Sequence, residues 1–555
     1  MGLCTTSLRI VMLAALASAL VACSSPQAAG PAANAPRLVV FIVIDGLPQR
    51  QVVAYRDQLA PDGFARFLDR GAWYSDAHYS HAFTVTAAGH ATMLTGASPS
   101  RTGIIGNEWR ERDSGDEVYC TGDTSATYLD NPTRKLDGTS PANLRAETVG
   151  DVLRRADARA KVIAISGKDR GAILPAGKAG TAYMYMSGTG RFASTTYYMK
   201  SEPAWAQAFN AARPADAYFK KSWQPLLPGA AYARSVPDNQ TWYAKGGQLP
   251  MTMGEGKDKP DGAYYAELLR SPFVDQMSLD FARAAIAGEQ LGKDAVPDIL
   301  SISLSGHDYV NHAFSAESRL SQDHFLQLDR MLDAFFKDLD RTVGAGNYVA
   351  VLTADHGFMP APEYSLAQGR NAGRANGSQV LARVNAGLQV RFGAEKLAKF
   401  LSASAVMLDR QQIAARGLDF DGVAEEARRV LLADPAIAVA YTRRELKDES
   451  RQGAPYFEAM RKSWYEERSG DVQFALKPYW LMSTATTGTT HGSPYEYDNH
   501  VPILMWGPSW VRAGEVREHV EVVDIAPTLA QWLGVARPAQ AEGRVLPVQR
   551  ASKGL

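Results

Sequence analysis

The stretch RLVVFIVID, residues 37–45, decides the fold, because an uninterrupted apolar run ends in an acidic residue that a glycine follows. A continuous run of this kind is typical of a strand that is covered on both faces, as in a parallel sheet. Similar runs recur at four further places, namely KVIAIS (161–166), DILSISL (298–304), YVAVLT (348–353) and VPILMWG (501–507).

Helix-length stretches separate these runs. The clearest has apolar residues at spacings of three and four, which is the pattern of one buried helix face: Phe325, Leu328, Leu332, Phe335 and Leu339. The alternation predicts an α/β fold in which a mostly parallel sheet is covered by helices on both faces. Two stretches break the rhythm, at about 171–285 and 363–480, and we interpret them as cap-like insertions into one catalytic domain over 37–555.

The composition indicates a folded globular protein without a net charge. Of 555 residues, 46% are hydrophobic and 21% are charged, and lysine plus arginine equal aspartate plus glutamate at 59 each. No net field therefore attracts nucleic acid or an anionic membrane, although a local basic cluster stays possible. We expect no nucleic-acid partner. With Cys4 and Cys23 discounted as part of a signal, Cys120 is the one cysteine left, and no intrachain disulfide can form.

The N-terminus is similar to the signal of a bacterial lipoprotein. Arg9 precedes an apolar run, Ile10 to Ala22, that is too short to span a bilayer comfortably. The run ends in LVAC, so we predict a signal peptide over 1–22, a lipid-bearing Cys23 and a tether over 23–36. Simple cleavage after an A-x-A-like site is the alternative. The prediction implies a periplasmic protein that is held to the membrane by its lipid alone.

Acidic and imidazole side chains follow the apolar runs, where the predicted strands end. Asp45 follows the first run, Asp308 and His312 follow the third, and Asp355 and His356 follow the fourth. In open α/β sheets, ligands bind at these carboxyl ends. Each acidic residue alone could be a helix cap or a turn residue. Together, however, crowded carboxylates repel one another unless a cation neutralises them, so the set predicts a metal site.

The mixed ligand set indicates which metal the site would hold. Aspartate and histidine together suit zinc best among common metals, with manganese or cobalt possible. A further histidine, His491, lies in the polar loop TTGTTHGSPYEYDNH that leads into the last strand.

The order of the motifs resembles that of the alkaline phosphatase superfamily, above all its PafA-type monomeric, zinc-dependent members. The similarity covers residues 37 to 535, ends in VVDIAPTLAQWLGV, and rests on motifs that occur in the family's order. These are Asp45-Gly46, the threonine-rich TVTAAGHATMLTG (84–96), Gly106-Asn107, Gly167-Lys168-Asp169-Arg170, Asp308 with His312, Asp355-His356-Gly357 and Thr490-His491-Gly492.

The resemblance implies two zinc ions and a threonine nucleophile. One zinc would be held by Asp308, His312 and His491, and the other by Asp45, Asp355, His356 and the nucleophile Thr86. Asn107, Lys168 and Arg170 would contact the phosphoryl oxygens, since a dianionic monoester gains from two cations. The expected activity is hydrolysis of small phosphate monoesters through a phosphothreonine, by a monomer.

Other residues of the same motifs receive a structural interpretation. We expect His90 to support the site from behind and Gly89 to allow the turn at Thr86. The remaining histidines receive no role, namely His78, His81, His307, His324, His500 and His519. Ala88 stands where many relatives have proline, which removes no ligand.

Three other functions compete with the phosphomonoesterase. ASPSR (97–101) resembles the sulfatase signature, but Ala97 occupies the position that must be cysteine or serine for conversion to formylglycine. A phosphodiesterase or nucleotide pyrophosphatase would use the same metals and the same threonine, and the pair Lys168 and Arg170 argues against it. A non-catalytic metal-binding lipoprotein would have lost a ligand or the nucleophile, and neither is lost.

Overall fold

A computed structural model describes residues 34–402 and 404–547. The predicted signal peptide, Cys23 and most of the tether lie outside the described residues. Among the described residues, no helix combines the length and the apolar character that crossing a lipid bilayer requires.

The centre of the protein is a nine-stranded sheet. Its strands are, in chain order, Leu38–Ile44 (β1), Ala72–Tyr74 (β2), Val162–Ser166 (β3), Thr181–Met186 (β4), Arg191–Ala193 (β5), Asp298–Leu304 (β6), Tyr348–Thr353 (β7), Ile503–Trp506 (β8) and Gly514–Val516 (β9). They lie side by side in the order β9-β2-β8-β7-β1-β6-β3-β4-β5. β1 pairs in parallel with both β6 and β7, so the run RLVVFIVID forms the centre of the sheet.

Helices cover the sheet, and every residue of β1 is buried. The helices of eight or more residues are Thr86–Thr95 (α1), Val149–Ala156 (α2), Asp169–Ala176 (α3), Ala204–Ala211 (α4), Pro272–Glu289 (α5), Gly306–Phe314 (α6), Arg319–Leu339 (α7), Gly377–Phe392 (α8), Phe420–Leu432 (α9) and Ile525–Leu533 (α10). The predicted apolar face of α7 is fully buried. The α/β fold with a mostly parallel, helix-covered sheet is confirmed.

Shorter elements complete the described chain. Short helices are Gln49–Ala54, Phe64–Arg70, Pro99–Thr102, Gly262–Glu267, Pro362–Ala367, Arg410–Ala415, Arg443–Lys447, Phe457–Lys462 and Glu496–Asn499. Two-stranded pairs join Ala77–His78 to Val520–Glu521, Glu108–Arg110 to Glu117–Tyr119, Ser222–Trp223 to Met251–Thr252, and Gly373–Ala375 to Trp480–Met482.

The last apolar run forms a strand, but its direction differs from the parallel pattern that the run suggested. β8 is antiparallel to both of its neighbours, β7 and β2. All four of its residues are buried. A strand inside a sheet that is covered on both faces is apolar throughout, whichever way it points. The composition of the run therefore indicates burial but not strand direction.

The first expected insertion differs from the structure at both of its ends. Within 171–285, β4 extends the central sheet in parallel with β3, and β5 closes its edge. Helix α5 also belongs to the main hydrophobic core, through residues such as Phe281. The segment TAYMYM carries tyrosines and methionines in place of branched aliphatic residues, and this composition hid a strand whose four inner residues are buried.

The second expected insertion, 363–480, contains a small α/β unit with a core of its own. Its four-stranded sheet consists of Ala398–Leu401, Ala405–Leu408, Val472–Leu476 and Ile437–Thr442, in that spatial order. Helices α8 and α9 pack on it through Val384, Leu388 and Ala427. We call this segment the cap unit.

Candidate active site

The candidate active site lies where the central strands of the sheet end. Asp45 directly follows β1, Asp308 lies in the first turn of α6 after β6, and Asp355 and His356 follow β7. Lys168 follows β3 at the start of α3. The parallel register brings these four chain segments to one edge, as expected for the carboxyl ends of an open α/β sheet.

Glycine at position 46 permits the chain to turn sharply after Asp45. Gly46 has a φ of +70°, which disfavours other residues, and a Cβ there would lie 3.1 Å from Oδ1 of Asp308. Its amide donates a hydrogen bond of 3.0 Å to Oδ1 of Asp355. The turn therefore brings the ends of β1, β6 and β7 into direct contact.

The predicted ligands form two clusters that could each hold a metal ion. Asp308, His312 and His491 form the first, and Asp45, Asp355 and His356 form the second; the potential ligand atoms of each lie within 4.8 Å of one another. Nε2 of His312 is 3.3 Å from Oδ1 of Asp308. Nε2 of His356 is 3.5 Å from Oδ1 of Asp45 and 3.4 Å from Oδ2 of Asp355.

All three histidines present the same nitrogen to the clusters. Nδ1 of His312 donates to the Thr489 carbonyl at 2.9 Å, Nδ1 of His491 to the Thr84 carbonyl at 2.8 Å, and Nδ1 of His356 to the carbonyl of the next residue at 2.9 Å. Because Nδ1 carries the proton, Nε2 is left with a free lone pair that faces the carboxylates. This orientation by backbone carbonyls is characteristic of histidines that bind metals.

The carboxylates also fit a bound cation. Oδ1 of Asp45, Oδ1 of Asp308 and Oδ2 of Asp355 are buried and have no hydrogen-bond donor. Burial and the neighbouring Asp355 raise the pKa of Asp45 well above its ordinary value, whereas burial lowers the pKa of His491 and of His356. Neutral imidazoles beside undercompensated carboxylates are a donor set that suits zinc.

Thr86 is the first residue of α1 and points into the same edge. Its hydroxyl lies 3.5 Å from Nε2 of His356. The other threonines of the stretch bond to backbone carbonyls: Thr84 donates to Ser493, Thr92 to Ala88 and Thr95 to Ala91. The structure thus separates Thr86 from the threonines that surround it.

Two neighbours of Thr86 in α1 fix where this helix lies. Gly89 lies inside the helix and not in the turn, so the expected role is wrong; a Cβ there would lie 2.1 Å from the Asp355 carbonyl oxygen. His90 lies behind the site as expected, with Nδ1 2.9 Å from the Thr86 carbonyl and 3.2 Å from Oδ2 of Asp355.

A cavity of about 450 Å³ opens onto Thr86, Asn107, Arg170, His312 and His491. Oδ1 of Asn107 accepts a hydrogen bond of 3.0 Å from the Ala87 amide, which leaves the amide hydrogens of its side chain for a ligand. The cap unit supplies another part of the wall, through Arg374, Phe474 and Trp480.

Tyr119 orients Arg170, a role that no sequence motif indicated. The Tyr119 hydroxyl donates to Oδ1 of Asp169 at 2.6 Å and accepts from Nη1 of Arg170 at 3.0 Å. Nε of Arg170 is buried without a partner. Tyr119 ends a hairpin strand 51 residues before Arg170, and no local pattern in the sequence links the two.

Lys168 does not line the cavity, in contrast to the predicted contact with the phosphoryl group. Its Nζ lies 2.6 Å from Oδ2 of Asp308 and 2.8 Å from Oδ2 of Asp45. One lysine thus links a carboxylate of each cluster. An ammonium group that is buried without a partner would cost several kcal/mol of folding free energy. Because both carboxylates lie within reach, the buried ammonium group of Lys168 forms ion pairs with them.

Comparison with known proteins agrees with this arrangement of motifs. Residues 39–498 match the family described as type I phosphodiesterase / nucleotide pyrophosphatase. The chain is 35% identical to a protein of Myroides odoratus named calcium-transporting ATPase, over 93% of this chain and 94% of that protein. It is 33% identical to alkaline phosphatase PafA of Elizabethkingia meningoseptica, over 92% of this chain and 93% of PafA.

The fold agrees with solved structures of the same kind. A crystal structure of PafA matches with a TM-score of 0.85 at 32% identity, covering 92% of this chain and 98% of that structure. A PafA variant with a serine for a threonine, and alanines for an asparagine, a lysine and an arginine, matches equally well at 31% identity.

The fold and the sequence matches define a hydrolase of the alkaline phosphatase superfamily. The chain belongs to the type I phosphodiesterase / nucleotide pyrophosphatase family of this superfamily. Within the family it resembles PafA, which confirms the similarity drawn from the motifs.

Proposed function

We propose that this protein is an exported alkaline phosphatase that hydrolyses phosphate monoesters through a phosphothreonine at a dizinc site. The observation that carries the proposal is that two carboxylate and imidazole clusters flank the Thr86 hydroxyl in one cavity with Arg170. The names of the relatives, which include several alkaline phosphatases, support the phosphatase activity.

The clusters would hold the two metal ions. Asp308, His312 and His491 would bind one zinc, and Asp45, Asp355, His356 and Thr86 the other. Bound zinc would lower the pKa of a hydroxyl nucleophile near neutral pH and stabilise the charge on the leaving oxygen.

The side chains at the cavity attack and bind the phosphoryl group. The Thr86 oxygen attacks phosphorus, the bond to the alcohol breaks, and water then cleaves the phosphothreonine to inorganic phosphate. Arg170 and Asn107 donate to the non-bridging oxygens, and donors placed there in advance are worth several kcal/mol of transition-state stabilisation. Lys168 acts behind the cavity, where its ion pairs hold Asp45 and Asp308 in place.

The residues changed in the solved PafA variant support the same assignment. That variant replaces a threonine, an asparagine 21 positions later, and a lysine and an arginine two positions apart. In this chain, Asn107 comes 21 positions after Thr86, and Arg170 comes two after Lys168. The matching spacing supports a role of all four residues in the reaction, with Lys168 acting through the carboxylates that it pairs with.

Phosphodiester or pyrophosphate hydrolysis is the second candidate, because the family as a whole carries that description. The charge of the cavity favours the monoester: Arg170 lines the cavity as a cation, and the phosphoryl group carries two negative charges in a monoester but one in a diester.

Turnover of matched substrates tests the class of enzyme. The zinc-loaded protein is compared on an aryl monoester, a sugar monoester, an aryl diester and ATP at alkaline pH. We expect the highest kcat/KM on the monoesters. Faster turnover of the diester or of ATP would contradict the proposal.

A Thr86→Ala variant tests the nucleophile. We expect its monoester kcat to fall about 10³-fold or more, because a hydroxyl that forms the covalent intermediate is lost. Zinc content is measured alongside, and Thr92→Ala serves as the matched control because its hydroxyl bonds within α1. Wild-type turnover in a zinc-loaded Thr86→Ala protein would show that another group attacks.

Export and lipid attachment remain proposals from the sequence, because residues 1–33 lie outside the described part. Cell fractionation of the full chain and of a Cys23→Ser variant tests them. We expect the wild-type protein in the membrane fraction facing the periplasm and the variant released from it; equal distributions would contradict lipid attachment at Cys23.

A further inference from the structure

A third group of histidine and carboxylate side chains lies on the protein surface, apart from the proposed active site. Oδ1 of Asp76 is 2.8 Å from Nε2 of His78, and Oδ2 of Asp76 is 3.2 Å from Nδ1 of His519. The potential ligand atoms of all three residues lie within 4.8 Å of one another. We call this group the surface cluster; none of its members takes part in the proposed reaction.

Strand pairing brings the surface cluster together. Ala77–His78 pairs in parallel with Val520–Glu521, in the register that joins Ala77 to Val520. Asp76 and His519 directly precede these two strands, and the Val520 amide donates to the Asp76 carbonyl at 3.0 Å. Asp76 and His78 are two residues apart and therefore project to the same side of their strand. The fold thus aligns one ligand atom from each of three side chains.

The protonation of His78 favours a ligand at its outer nitrogen. Nδ1 of His78 lies 3.0 Å from Oδ1 of Asn499, and Nδ2 of Asn499 donates to the Pro494 carbonyl at 2.9 Å. The amide orientation of Asn499 makes its oxygen the acceptor, so Nδ1 of His78 carries the proton. In a neutral ring Nε2 then has a lone pair, 2.8 Å from a carboxylate oxygen. Two acceptors this close require a shared proton or a cation between them.

We propose that Asp76, His78 and His519 bind a divalent transition metal ion, with zinc as the preferred occupant. Two imidazoles and one carboxylate select zinc and its neighbours over magnesium or calcium, which prefer oxygen ligands. With one ligand atom from each residue, the three atoms lie within 4.8 Å of one another, so small side-chain rotations would let them surround a zinc ion at about 2.0–2.2 Å. The exposed fractions, 20% for the His78 side chain and 60% for His519, leave the remaining coordination positions to water.

A metal ion bound at the surface cluster would link two neighbouring pairs of strands. Asp76 follows β2, and His519 follows β9, the outermost strand of the central sheet. A metal that joins these side chains holds the edge pair β2 and β9 to the strand pair beyond it. Binding to the folded state alone then raises the unfolding temperature with zinc concentration.

Zinc counting in variants of the full chain tests the site. Wild type, Asp76→Asn and His519→Gln are equilibrated at the same micromolar free zinc, and bound zinc is measured by mass spectrometry of the metal. Asp69→Asn is the matched control, because Asp69 is a surface carboxylate, 56% exposed, that pairs with Arg56. We expect each cluster variant to hold one zinc fewer than wild type and Asp69→Asn, with monoester turnover unchanged within twofold.

Thermal unfolding at rising zinc concentration gives a second measurement. In wild type already loaded at the active site, we expect further zinc to raise the melting temperature by about 2 °C. This shift is lost in Asp76→Asn and His519→Gln. Equal zinc content and equal shifts in all four proteins would mean that Asp76 and His78 share a proton only, and this overturns the proposal.

The test separates this site from the proposed active site. The same count is made in an Asp308→Asn background, in which one of the two catalytic clusters has lost a ligand. If the catalytic clusters bind no zinc, the proposed function fails, but the difference of one zinc between His519→Gln and its parent persists. If that difference vanishes in both backgrounds, the result contradicts the surface site and leaves the proposed function unaffected.

Discussion

The two clusters of the candidate active site and the surface cluster are built from the same kinds of side chain but lie in opposite surroundings. Asp45, Asp355 and His356 are completely buried, whereas the side chains of Asp76 and His519 are 46% and 60% exposed. Water can solvate an exposed carboxylate, so the surface cluster is stable with or without a metal. The buried clusters have no such compensation, and their charge must be met by a cation or a proton.

The difference teaches that burial, and not ligand identity, determines how strongly a site depends on its metal. In the two clusters of the candidate active site, three carboxylate oxygens lack hydrogen-bond donors, and Lys168 supplies a positive charge next to them. In the surface cluster, Asp76 has both of its oxygens next to an imidazole nitrogen. The same substitution should therefore have very different effects in the two places.

The largest expected difference is that between Asp308→Asn and Asp76→Asn. We expect Asp308→Asn to lower monoester kcat/KM by about 10³-fold or more, because it removes a ligand charge and the partner of Lys168. Asp76→Asn should change kcat/KM by less than about twofold, since an exposed polar substitution away from the site is nearly neutral. Zinc content and kcat/KM are measured in parallel. Comparable losses in both variants would break the comparison.

Arg170→Ala should have the next largest effect. The guanidinium is held towards the cavity, and loss of one preorganised donor costs about 10²- to 10³-fold in rate. Zinc content should stay at the wild-type value, because Arg170 contacts neither cluster. Arg374→Ala, in the cap-unit wall of the same cavity, is the control and should affect monoesters less. An unchanged monoester rate in Arg170→Ala would mean that the phosphoryl group binds elsewhere.

Among the variants of the candidate active site, Tyr119→Phe should have the smallest effect. The variant removes the hydroxyl that accepts from Arg170 and donates to Asp169, so we expect a loss of about tenfold in kcat/KM. If Tyr119 acts by positioning Arg170, the substitution should add little in an Arg170→Ala background. Additive losses in the double variant would contradict that role.

Much of the fold and most of the candidate ligands could be predicted because both depend on local patterns. The buried strands are unbroken apolar runs, and the residues after them carry the chemistry at a known edge of such sheets. Asp45, Asp308 and Asp355 follow directly from that rule. The structure brings the predicted residues together as two clusters, whereas their roles stay predictions.

What escaped prediction depends on contacts between distant parts of the chain. Tyr119 reaches Arg170 through a hairpin, Lys168 turns from the cavity to the nearest carboxylates, and Gly89 is required by the backbone of Asp355. His78 and His519 lie 441 positions apart, and strand pairing alone brings them together. No spacing along the sequence contains these distances.

The cap unit has a consequence for how such an enzyme can change over evolutionary time. Phe474 and Trp480 of this segment line the cavity, while its own hydrophobic core is separate from that of the central sheet. Substitutions that reshape the entrance are therefore absorbed within the cap unit and leave the ends of β1, β6 and β7 in place. Selection for a new alcohol group and preservation of the phosphoryl chemistry act on different parts of one chain.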